Sequence, residues 1–138
     1  MPWPWSAELS PEHPGGRLPG MRVLIADDDQ GYRNYVRKIL EVGADMNVIA
    51  EAIDGEEAVS LSRRLKPDVV LMDLDLPRLD GLQATRRLKS EIPTMKVIIL
   101  STVEDETCRK AAVKYGADAF LPKSADIHQL LSVIRKGQ

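Results

Sequence analysis

The chain has 138 residues, enough for one domain and hardly two. Its net charge of −2 gives no push toward nucleic acid or a membrane surface, and its one cysteine, Cys108, rules out an intramolecular disulfide. No apolar run approaches the roughly 18 residues that span a bilayer, and the N-terminus lacks the apolar core of a signal peptide.

A reducing, cytoplasmic setting is therefore expected. Residues 1–20 hold five of the nine prolines and three of the nine glycines and show no period. Such a segment lacks backbone donors for a packed element and reads as a flexible N-terminal tail. Met21 then opens a strand directly, and the folded domain is expected over residues 21–138.

Residues 23–26 form a short apolar run ending in Asp27, Asp28 and Asp29. A helical period follows, with Tyr35, Val36, Ile39 and Leu40 on one face. Residues 47–52 read as a second, weaker strand. Asp54 and Glu57 make a capping box, with Asp54 as the cap and Glu57 at the third helical position. Behind it Ala58, Leu61 and Leu65 fall at helical spacing, and Pro67 stops the helix. Residues 68–72 carry the strongest strand signal and lead into Asp73. Residues 82–92 read as a helix, and 96–100 as a buried strand ending in Ser101 and Thr102. Residues 104–115 read as a helix closed by Gly116. Residues 119–121 form a short fifth strand before Pro122 and Lys123. The last helix turns Ile127, Leu130, Leu131 and Ile134 inward.

Strands that are apolar on both faces and separated by helices imply a parallel sheet covered on both sides. With right-handed crossovers, the expected fold is α/β: a doubly wound (βα)5 unit with a five-stranded parallel sheet in the flavodoxin-like order 2-1-3-4-5. Ligands bind beyond the carboxyl ends of such strands. That edge should gather Asp27, Asp28, Asp29, Asp73, Ser101, Thr102 and Lys123. Crowded carboxylates repel and raise one another's pKa, so a cation among them is favoured. Oxygen-only ligands suit Mg2+, which retains waters and shares a phosphate. A lysine can hold a phosphate oxygen as a point charge. These parts match phosphoryl transfer, and an aspartate can itself be the nucleophile.

At this point the pattern resembles the receiver domain of two-component response regulators. The matching pieces are Ala26-Asp27-Asp28, Val70-Leu71-Met72-Asp73-Leu74-Asp75-Leu76-Pro77, Leu79-Asp80-Gly81, Ile99-Leu100-Ser101 and Leu121-Pro122-Lys123. Tyr115-Gly116-Ala117-Asp118-Ala119-Phe120 and Lys123-Ser124 look most like the NarL-type subgroup. The resemblance implies that Asp73 is the phosphoacceptor. Asp28 and Asp73 would ligate Mg2+, with the backbone carbonyl of Asp75, and Asp27 would assist through water. Ser101 would bind the phosphoryl group and move toward it, and Lys123 would pair with it. Phe120 would be the aromatic that rotates inward, and Pro77 and Gly81 would shape the adjoining loop.

The resemblance further implies a sensor histidine kinase or phosphotransfer protein as phosphate source. Output would pass through the face of the fourth helix, fifth strand and fifth helix. A homodimer and a helix-turn-helix DNA-binding effector domain outside this chain are the implied partners; the receiver itself would contact neither nucleic acid nor membrane. Such a domain catalyses only its own phosphorylation and dephosphorylation.

The chain departs from the family in places. Ser124 stands where a proline often follows the lysine, so no cis bond is expected, since cis without proline costs about 3 kcal/mol. Ser124 is a candidate cap for the last helix. Phe120 lacks the hydroxyl of the commoner tyrosine. Asp75 and Val103 flank the place of an attacking water and would tune the phosphate's lifetime.

Other readings compete. A degenerate receiver would act as a docking module without phosphate. Asp73-Leu74-Asp75 also resembles the acid pair of haloacid dehalogenase-type phosphohydrolases. Against that, Pro77 replaces the usual Thr or Val, the motif falls on the third strand instead of the first, and the chain is short. A flavin site would need Gly, Ser and Thr after the first strand, where three aspartates stand. His128 reads as a surface helix residue, and Cys108 as a helix residue without redox role. Arg63-Arg64 and Arg86-Arg87 read as solvated helix faces.

Overall fold

A computed structural model describes residues 20–44 and 46–136. The expected tail, apart from Gly20, lies outside the described residues. Strands and helices alternate as β1 (Arg22–Ala26), α1 (Gln30–Gly43), β2 (Asn47–Ala52), α2 (Gly55–Leu65), β3 (Val69–Asp73), α3 (Gly81–Glu91), β4 (Lys96–Ser101), α4 (Glu106–Lys114), β5 (Ala119–Pro122) and α5 (Ile127–Arg135). The five strands are parallel and lie in the order β2-β1-β3-β4-β5, as expected.

Successive strand side chains point to opposite faces. In β3, Val70 and Met72 join the layer under α2, α3 and α4, with Ala58, Val59, Leu88 and Ala112. Val69 and Leu71 join the layer under α1 and α5, with Val36, Leu40, Leu130 and Ile134. Every residue of β3 is buried, which is why this run carried the strongest apolar signal. Tyr35 differs from expectation: it is 58% exposed, because its neighbours Val36 and Leu40 take the inward stripe. In α2 the stripe is Gly55, Ala58, Val59 and Ser62, while Leu61 and Leu65 are half-buried.

Each helix begins at an aspartate whose carboxylate accepts backbone N–H groups of the first turn: Asp29, Asp54, Asp80, Asp105 and Asp126. This explains two shifted boundaries. Asp105 caps α4, so that helix starts at Glu106 and not at Glu104. Asp126 accepts from the Gln129 N–H at 2.8 Å, so Asp126 caps α5 and Ser124 does not. No cis peptide occurs among the described residues. At Asp54 the box is offset by one residue. The Glu57 N–H donates to Asp54 Oδ1 at 2.7 Å, but Glu57 Oε1 accepts from the Ile53 N–H at 2.8 Å.

Asp54 also meets Arg78 at 3.1 Å. Asp54→Ala is expected to cost about 1 kcal/mol in urea unfolding, and Asp54→Asn to restore most of it. Equal losses in both variants would move the effect from the cap to the ion pair.

Candidate functional site

The strand order places β1 and β3 side by side at the centre, with β4 next to β3. Their carboxyl ends therefore converge. Asp27 follows β1, Asp73 ends β3, Ser101 ends β4, and Lys123 follows β5. Asp73 pairs in register with Leu100, and Ser101 with Pro122. The Lys123 N–H donates to the Ser101 carbonyl at 2.8 Å, which ties the lysine's backbone to the end of β4.

Asp27, Asp73 and Ser101 are buried, at 2%, 5% and 0% exposure. Buried charge needs partners. Lys123 Nζ lies 2.6 Å from Asp27 Oδ2 and 3.4 Å from Asp73 Oδ1, bridging the two carboxylates. Asp27 Oδ1 accepts from the Asp29 N–H at 2.8 Å, and the Asp27 carbonyl accepts from Arg33 Nη1 at 2.7 Å. Asp73 Oδ1 faces the Asp75 N–H at 3.4 Å. The Ser101 hydroxyl accepts from the Val103 N–H at 3.0 Å.

Burial, followed by the charge of Asp27, pushes the Asp73 carboxyl above the ordinary aspartate range; Lys123 opposes this only in part. Burial alone would lower Lys123. The hydrogen bond to Asp27 and the charges of Asp73 and Asp27 outweigh it and hold the ammonium above the usual lysine value. Asp27, Asp28 and Asp73 each present an oxygen, all within 4.8 Å of one another. Asp28 is exposed and leaves the cluster open to solvent on its side. An oxygen-only, anionic, half-open set of this kind fits a hard divalent cation such as Mg2+.

A family model described as the response regulator receiver domain matches residues 23–135. The chain belongs to the response regulator receiver domain family. DegU, a transcriptional regulatory protein of Brevibacillus brevis, is 36% identical over 115 residues, covering 83% of this chain and 49% of DegU. The receiver domain of a NarL response regulator from Mycobacterium tuberculosis superposes with a TM-score of 0.78 at 31% identity, over 86% of this chain and 98% of that one. A CheY from Borrelia burgdorferi, solved as a CheX-CheY-BeF3-Mg+2 complex, has a TM-score of 0.77 at 28% identity, over 83% of this chain and 86% of that one. The relatives place this receiver in the NarL-type subgroup. The chain spans about half the length of the curated NarL-type relatives it matches.

Phe120 is 5% exposed, with the Arg109 guanidinium 5.1 Å from its ring centroid. The Pro77 carbonyl accepts from the Gly55 N–H at 3.2 Å, which joins the loop after β3 to the start of α2. A Cβ on Gly81 would stand 2.1 Å from the Asp73 carbonyl oxygen, so α3 can start this close to the end of β3 only with glycine there. Asp75 has an exposed side chain. Asp29 serves as the cap of α1 and is not among the three carboxylates whose oxygens converge.

His128 is exposed on α5, as expected. The arginine pairs are exposed, as expected, and members of both also take partners: Arg63 pairs with Glu91 at 2.5 Å across α2 and α3, and Arg86 covers the Tyr115 ring at 5.4 Å. Sequence reasoning missed Arg33, which donates to the Asp27 carbonyl, Gly55, which meets the loop after β3, and Tyr32, whose ring centroid lies 4.7 Å from Lys123 Nζ. Arg33 was findable in principle, as a cation one turn into the helix after the paired aspartates. Tyr32 and Gly55 carry no local signal, because their contacts come from segments far away in the chain.

Proposed function

We propose that this receiver is a phosphorylation switch whose acceptor is Asp73. The observation that carries the reading is the Lys123 ammonium bridging buried Asp27 and Asp73. A carboxylate held at a strand end beside a cation and two further acids suits attack on an electrophilic phosphorus. The donor would be phosphohistidine on a sensor histidine kinase or phosphotransfer protein. Asp73 forms the acyl phosphate as the donor's P–N bond breaks.

Mg2+ would be held by Asp28, Asp73 and the Asp75 carbonyl, with Asp27 acting through water; when bound it neutralises charge on the transferring group. The Borrelia complex includes Mg2+, which supports that choice. Lys123 would leave Asp27 to pair with a phosphoryl oxygen. The Ser101 hydroxyl would turn from the Val103 N–H to donate to another. Phe120 is already buried, with Arg109 over its ring, so its expected rotation would be a repacking within the core that alters the Arg109 contact and not an entry from solvent. The face of α4, β5 and α5 changes by a population shift between two packings.

Output would run to a second copy or to a helix-turn-helix DNA-binding effector domain outside this chain, in the cytoplasm. The relatives' transcriptional names and greater length support that arrangement. The dehalogenase reading is weaker, since Asp73 and Asp75 sit on and after the third strand, not the first.

The test is incubation with acetyl phosphate, with and without Mg2+, read by intact mass. A single Mg2+-dependent phosphoryl adduct is expected in the wild type and none in Asp73→Asn. A folded wild type that takes no phosphate with Mg2+ present would replace the switch by a phosphate-independent docking module.

A further inference from the structure

The Lys123 ammonium has a third neighbour besides the two carboxylates. The ring of Tyr32 lies beneath it, its centroid 4.7 Å from Nζ. That is within the range of a cation–π contact. Tyr32 stands in the first turn of α1, and that turn is tied to the acid pair at several points. The Asp29 carboxylate accepts from the Gly31 and Tyr32 N–H groups, at 2.9 and 3.3 Å. The Asp29 N–H donates to Asp27 Oδ1, and Arg33, the next residue, donates to the Asp27 carbonyl. The ring is thereby held in register with Asp27. Burial first, then the charges around it, push the phenol up to about 12, so the ring stays neutral at physiological pH.

We infer that Tyr32 is a positioning residue for phosphoryl transfer: the face of its ring holds the Lys123 ammonium beside Asp73 while the lysine exchanges Asp27 for an incoming phosphoryl oxygen. This rests on the switch reading above. The physical need is specific. A lysine ammonium is compact and strongly hydrated. As the 2.6 Å pair with Asp27 breaks, water competes for the freed hydrogens. A π face attracts the cation whichever anion it faces and keeps water from that side. Lys123 can then change partners without leaving the site. Tyr32 also lines the groove formed with Thr102, Lys123, Ser124 and Ile127, at the mouth through which a donor would come.

The test varies the ring's charge distribution while keeping its shape. The full chain is made with Tyr32→Phe, with phenylalanines carrying one, two or three ring fluorines at position 32, and with Tyr32→Leu. The readout is the initial rate of adduct formation at Asp73 from acetyl phosphate at saturating Mg2+. Phe should stay within about twofold of wild type, and each added fluorine should slow the reaction. Leu should be slowest, by roughly three- to tenfold, as expected for loss of a partly desolvated cation–π contact. A purely packing role would not respond to fluorine, so a flat fluorine series in an active protein overturns the inference and leaves the switch standing. A wild type that takes no phosphate overturns the switch itself. The fluorinated series keeps the question decidable even if the leucine variant folds poorly.

Discussion

Gly81→Ala is expected to lower the unfolding free energy by about 3 kcal/mol and to slow phosphate uptake at Asp73 by more than that loss explains. The added Cβ would stand 2.1 Å from the Asp73 carbonyl oxygen and 3.0 Å from its carbonyl carbon. Both are backbone atoms, and neither can rotate away. The helix start cannot easily retreat either. The Gly81 N–H donates to the Leu74 carbonyl at 2.9 Å, and Thr85 Oγ1 donates to the Gly81 carbonyl at 2.7 Å. The strain falls on the residue that would carry the phosphate. Urea unfolding and the mass assay together check this; an unchanged midpoint would show that the turn yields freely.

Gly55→Ala makes a useful contrast. Its Cβ would stand 1.7 Å from the Leu79 carbonyl oxygen, so a comparable loss of stability is expected. The clash lies on the loop after β3 and away from Asp73, so phosphate uptake should fall less.

The second large effect is expected for Lys123→Met. Removing the ammonium leaves Asp27 and Asp73 buried beside each other and near Asp28, with no cation bridging them. Breaking a buried pair by removing one partner commonly costs 3–5 kcal/mol. Lys123 keeps 16% of its side chain in water, so about 2 kcal/mol at pH 7 is expected. The sign of the pH dependence follows from Asp73. Its folded pKa is raised, so its contribution to stability is fullest below the ordinary aspartate value and is lost as pH rises through the folded value. Without Lys123 that folded value rises further. The variant's deficit should therefore grow from acid toward neutral pH and shrink again below about pH 4.

Asp73→Asn removes the strained carboxyl. At pH 7 it should stabilise the metal-free protein by roughly 1 kcal/mol after allowing for solvent screening, and recover more in the Lys123→Met background. Urea unfolding of the four proteins at pH 4 and pH 7 decides it. A Lys123→Met deficit that is the same at both pH values would place the effect in lost packing, not in charge.

Ten elements, their order and the parallel sheet were legible along the chain, because a residue's position in a period reports whether that residue is buried. The run before Asp73 read as a strand apolar on both faces because β3 is covered on both faces. The five strand ends followed from the same reading, and with them Asp27, Asp73, Ser101 and Lys123 as a group. Asp54 was visible as a cap because capping is local, acting over three residues. The start of α5 was misread for a related reason. Ser124 and Asp126 are both competent caps in sequence, and only the chain's path out of β5 puts the Asp126 carboxylate over the Gln129 N–H.

Tertiary structure alone decided which partner each buried charge takes. Lys123 and Asp27 are far apart in sequence, and nothing in either segment says that their atoms lie 2.6 Å apart. The same holds for Tyr32 under Lys123, for Arg33 on the Asp27 carbonyl, and for the backbone that Gly55 and Gly81 must approach. Composition and period record how each residue meets solvent. Pairing depends on how two distant elements are set against one sheet, and that is fixed by the packing of the whole core.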